Sequence, residues 1–127
     1  MTAAIVLGNQ EGRFAPKARV DGNASWELER APAWLELRLV WHTEGKGSTE
    51  AMVIGRQRLA DVGARGQRSF AFELAEMPYT YHGRIVSILW SVDMFAGAPP
   101  LWLRGKRIAT VPIIVSPTLQ PYGERRA

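Results

Sequence analysis

Between Ala33 and Thr43 apolar side chains fall on every second residue, Leu35, Leu37, Leu39 and Trp41, with Glu36, Arg38 and His42 between them. A period of two belongs to an extended chain with one buried face, so this segment is predicted to be a half-buried strand. The alternation returns at Ser69–Leu74, where Phe70, Phe72 and Leu74 share a face. It returns again at Arg84–Met94, where Val86, Ile88, Trp90, Val92 and Met94 share one face and Ser87, Ser91 and Asp93 take part in the other. Four weaker segments fill the gaps: Ala3–Leu7, Arg19–Leu28, Glu50–Leu59 and Leu101–Val115. Turn formers punctuate the chain, among them Gly8-Asn9, Gly22-Asn23, Gly45-Lys46-Gly47 and Gly97-Ala98-Pro99-Pro100. No stretch longer than about ten residues keeps a 3.6-residue period, and only Arg56–Ala64 suggests a helical turn. The prediction is an all-β chain, a seven-stranded antiparallel β-sandwich of immunoglobulin-like kind. Pro112 lacks an N–H, which suits an edge or a bulge, and the last strand is expected to switch sheets there. Residues 1–116 are expected to form one domain and 117–127 a loose tail.

Composition narrows the chemistry. The 127 residues contain no Cys, which removes thiolate metal sites, thiol nucleophiles and disulfides. Sixteen Lys and Arg against twelve Asp and Glu leave a net charge of +4, a modest bias toward an anionic partner. No apolar run approaches the ~20 residues of a membrane span, and the opening residues lack the basic start of a signal peptide, so the expected location is the cytoplasm.

Motifs for catalysis are not found. His42 and His82 have neither the spacing of a metal pair nor a Cys to join them, and no metal or cofactor is expected. Glu44-Gly45-Lys46-Gly47-Ser48-Thr49 superficially suggests a phosphate loop. However, Val40 stands at the first glycine position and Gly47 follows the lysine, so it is read as a turn. Basic residues recur in small groups: Arg56 and Arg58; Arg65 and Arg68; Arg104, Lys106 and Arg107; Arg125 and Arg126. Arg56 and Arg58 share a strand face, as Arg104 and Lys106 would. Most Trp and Phe keep step with the apolar period, which argues against a nucleic-acid platform of exposed aromatics. Trp34 shares parity with Glu36 and Arg38, and Trp102 follows the Pro99-Pro100 loop. Both are candidates for a partner anchor or for capping the sandwich end.

Two blocks resemble the arrestin-like family. Arg13-Phe14-Ala15-Pro16-Lys17-Ala18-Arg19-Val20-Asp21-Gly22 is similar to its opening, aromatic-x-Pro-Gly-x-x-Val-x-Gly. Phe70-Ala71-Phe72-Glu73-Leu74, then Pro78-Tyr79-Thr80-Tyr81-His82-Gly83, then the strand through Trp90 and Val92 resemble Phe-x-Phe-x-Leu-Pro, Pro-x-Ser-x-x-Gly and a strand ending aromatic-x-Val. Lys17 replaces a favoured Gly, Ala75 a favoured Pro and Thr80 a favoured Ser. The resemblance spans Ala4 to Val115 and implies one arrestin-like lobe.

The expected function is a non-catalytic adaptor that docks a protein partner. The partner would be an extended peptide added to a sheet edge, or an acidic segment received by Trp34, Trp102, Arg56, Arg58, Arg104 and Lys106. The alternative is a structural subunit of a larger assembly that self-associates into a homo-oligomer. A third reading is recognition of an anionic lipid or phosphate.

Overall fold

The computed structural model describes residues 2–45, 49–83, 86–97 and 105–117. Trp102, Arg104, the turn around Lys46 and the tail beyond Pro117 lie outside them. Among the described residues nine strands follow in order: β1 Thr2–Leu7, β2 Arg13–Phe14, β3 Arg19–Glu27, β4 Trp34–Gly45, β5 Ala51–Leu59, β6 Arg65–Glu73, β7 Tyr81–His82, β8 Val86–Gly97 and β9 Lys106–Val115. The seven long strands correspond to the three that the alternation predicts and the four weaker segments between them, and two short strands of two residues are added. They form two sheets. The smaller has the order β1-β3-β6, and the larger has the order β2-β9-β8-β4-β5 with β7 paired to β8. All pairings are antiparallel except that of β2 with β9. The fold is an arrestin-like β-sandwich.

The core lies between the sheets and is filled by the side chains that the period of two selects. Leu35, Leu37 and Leu39 of β4 meet Trp90, Val92 and Met94 of β8, and Phe70, Phe72, Val20, Ala24 and Trp26 close over them from the smaller sheet. Trp41 is only partly buried and packs at the margin of this cluster. Both buried indoles find a partner for their N–H, as buried Trp must. Trp26 donates to the Gly63 carbonyl at 3.0 Å and Trp90 to that of Pro78 at 2.9 Å.

Two sequence expectations are corrected. Arg56–Ala64 makes no helical turn: β5 runs to Leu59, and the chain then reverses through Asp61 at a φ of 52°. β9 does not change sheets at Pro112. It stays against β8 through Ile113 and gains β2 on its other side only at Ile114 and Val115. Pro112 thus sits where the second edge of β9 is open, and its missing N–H removes no ladder bond on that side.

Family-like positions acquire physical reasons. Pro16 and Lys17 form the centre of a reverse turn closed by the Ala18 N–H on the Ala15 carbonyl, 3.2 Å, and Lys17 has a φ of 66°. Pro at the first central position followed by positive φ at the second is a type II turn, whose second position favours Gly. Thr80 is buried, and its hydroxyl oxygen accepts the Val115 N–H at 2.9 Å, a role that Ser would also fill. From the turn geometry, Lys17→Gly is expected to raise the unfolding free energy by about 0.5–1 kcal/mol, because relief of the left-handed strain outweighs the added chain entropy. Lys17→Ala should change little. Equal urea midpoints for the wild type and Lys17→Gly would contradict the strain.

Candidate functional site

Along the first part of β4 the residues that point away from the core are Trp34, Glu36 and Arg38. The register carries their faces across the larger sheet. Glu36 lies between Arg58 of β5 and Phe95 of β8, which itself faces Arg107 of β9. The next row runs Arg56, Arg38, Asp93 and Thr110. Two rows of side chains thus cross four strands on the outer surface, the first with a cation at each end and the second with cations on β5 and β4.

Glu36 is the hub. Its Oε1 accepts Arg58 Nε at 3.0 Å, and its Oε2 accepts Arg38 Nε and lies 3.5 Å from Arg56 Nη1. Burial opposes ionisation of Glu36, but hydrogen bonds from Arg38 and Arg58 and their charges outweigh it and hold its carboxyl below the usual glutamate range. The Arg38 guanidinium lies 4.1 Å over the Phe95 ring and that of Arg58 4.2 Å over Trp34. Such stacking is worth about 0.5–1 kcal/mol at exposed sites and fixes the plane of each fork. The Trp34 indole rests on Gly97 and Gly105, where a Cβ would run into the ring. Asp93 organises the far end: its Oδ1 accepts the hydroxyls of Ser91 at 2.9 Å and Thr110, and Arg107 Nη1 lies 3.8 Å from its Oδ2.

Exposure separates the signs of charge. The carboxylates of Glu36 and Asp93 are 4% and 5% exposed, whereas Arg56, Arg58 and Arg107 are 58%, 53% and 57% exposed. Four guanidinium groups stand against two hidden carboxylates, so the face presents cations already held in place.

Of the residues singled out in the sequence, Trp34, Arg56 and Arg58 come together here. Lys106 is exposed but shares a row with Ala96 and Leu35, the core-facing parity. Opposite Met94 and Phe95 the register skips Ile108 of β9, so Arg107 takes the row of Glu36 and Arg58 and Lys106 falls on the core-facing parity. Glu36, Arg38, Phe95, Asp93 and Arg107 complete the ladder without having been chosen. The parity of Glu36, Arg38, Asp93 and Phe95 was visible, but that of Arg107 and the cross-strand register were not.

Further along this face a groove of about 570 Å³ opens between β4, β7, β8 and β9, lined in part by His42, His82, Leu89, Pro112 and Ile114. His42 Nε2 lies 2.9 Å from Glu44 Oε2. Among the described residues no three His, Asp or Glu side chains converge as a metal set, and no helix is long and apolar enough to cross a membrane.

No protein-family model matches the chain. No curated protein sequence matches it either. Among solved structures it is similar to Spo0M, a sporulation control protein from Bacillus subtilis, with a TM-score of 0.61 and 15% identity over 90% of this chain. The likeness covers 48% of Spo0M, so this chain spans about half the length of that protein. At this identity what the two share is the arrestin-like fold.

Proposed function

We propose that the protein is a non-catalytic docking module, acting in the cytoplasm, whose outer face on the larger sheet receives an acidic segment of a partner protein. The observation that carries this reading is the ladder itself: three half-exposed arginines oriented by carboxylates that solvent barely reaches. Arg58 and Arg38 spend Nε on Glu36, which leaves the outer edges of their forks directed to a ligand's carboxylates. Side chains fixed by stacking and hydrogen bonds lose less freedom on binding, so a small patch can give useful affinity. The arrestin-like sandwich is compatible with such a role because its rigid sheet holds the rows in register.

The test is fluorescence anisotropy with a labelled oligo-glutamate peptide. The wild type is expected to bind, more weakly as salt rises. Arg56→Gln/Arg58→Gln should lose roughly tenfold or more in affinity while keeping the wild-type far-UV spectrum, and Lys106→Gln should lose little. Equal binding by the double variant, or no binding by the wild type at low salt, would overturn the reading.

A further inference from the structure

We infer that the groove beside the ladder is the second half of the same docking surface and takes a large apolar side chain from the acidic segment; this rests on the docking role proposed above. The two features share residues. Ser91 and Thr110, which hold Asp93, and Arg107, which faces it, also line the groove. Away from Arg107 the floor becomes apolar, formed by Leu89, Pro112 and Ile114. Its volume, about 570 Å³, lies within the roughly 300–1,000 Å³ of sites that enclose organic groups.

Charge decides the occupant. Where the groove meets the ladder its lining includes Arg107, which is half-exposed and lies 3.8 Å from the buried Asp93 carboxylate. At the far end His42 already faces Glu44. An entering chain is therefore favoured when its acidic part lies toward Arg107 and Arg58 and its apolar part lies over Leu89. Leu89 and Asp93 are four residues apart on β8, about 13 Å at 3.3 Å per residue. An extended partner segment spans that distance in about four residues. The ligand class is thus an extended peptide with acidic residues and, about four positions away, an aromatic or large aliphatic residue.

The experiment compares the labelled oligo-glutamate peptide with versions that carry Phe about four residues beyond either end of the acidic run. One of the two Phe peptides is expected to bind the wild-type protein roughly tenfold tighter than the plain peptide, a gain that raised salt leaves largely intact. Leu89→Gln and, separately, Ile114→Gln should abolish that gain and leave binding of the plain peptide unchanged. A photoreactive benzophenone in place of Phe gives an independent readout and should cross-link to the Leu89 or Ile114 segments. If Phe adds nothing, or cross-links form on the smaller sheet, the groove assignment fails while the acidic docking role stands. If no peptide binds, both fail. A dimer that Leu89→Gln dissociates would assign the groove to a second copy of the chain and overturn the proposal.

Discussion

Gly22→Val is expected to destabilise the protein by about 3 kcal/mol or more, enough to remove much of the stability of a domain of this size. Gly22 pairs with Leu7 of β1 and Phe70 of β6, and it occupies the core-facing parity of β3 together with Val20 and Ala24. A Cβ there would meet the Val6 carbonyl oxygen, with Leu7 Cα and the tip of the Phe70 ring each 3.0 Å away. Two of these three neighbours are backbone and cannot rotate aside. Accommodation would have to separate β1 from β3 or displace Phe70, whose ring packs 5.8 Å from that of Phe72 in the core. Both routes break contacts that the sandwich depends on, which makes this overpacking with little room to relax. Gly63 provides the contrast, since a Cβ there meets nothing closer than 3.8 Å. Gly63→Ala should be neutral or stabilising by up to about 1 kcal/mol. Urea unfolding of both variants decides the matter: a Gly22→Val midpoint close to the wild type would show that β1 does not approach β3 so tightly.

Gly22 also illustrates what a sequence alone can convey. The period of two identified three strands because burial of one face leaves its mark on every second residue, as at Leu35, Leu37 and Leu39, and the turn formers between them delimited four more. The glycine at position 22 marked family resemblance, yet the carbonyl that excludes a side chain belongs to β1, fifteen or so residues earlier in the chain. Lys17 carried a similar message: its departure from Gly becomes meaningful only with its positive φ. The ladder was half legible. Trp34, Glu36 and Arg38 announced a shared face, and Arg56 with Arg58 announced another. That these faces lie edge to edge depends on register, which alternation does not encode. The extra residue Ile108, opposite Met94 and Phe95, then inverted the parity of the start of β9 relative to its remainder and put Arg107 in place of Lys106 on the outer face. Two short strands, Arg13–Phe14 and Tyr81–His82, left no period because two residues cannot show one.

Glu36→Gln tests the hub of the ladder, and its expected cost is about 2 kcal/mol at neutral pH. The amide keeps the shape of the carboxylate but not its charge. It leaves Arg38, Arg56 and Arg58 facing one another around a site that solvent barely reaches, and it weakens charge-assisted hydrogen bonds at 3.0 Å from Arg58 and from Arg38. The loss should fall short of that for a fully buried pair, because Arg56 and Arg58 are more than half exposed and can turn toward water. An exposed pair sets the lower reference: Arg65 and Glu27, 2.9 Å apart at 77% and 59% exposure, should tolerate Glu27→Gln within about 0.5 kcal/mol. The pH dependence separates charge from shape. Glu36 has a lowered pKa in the folded state, so its contribution is fully present above the unfolded value of about 4.3 and is lost as pH falls through the folded value. The stability gap between wild type and Glu36→Gln should therefore be constant from neutral pH down to about pH 5 and narrow on further acidification. A gap unchanged into strong acid would mean that packing, and not the ionised carboxylate, holds the arginines in their rows.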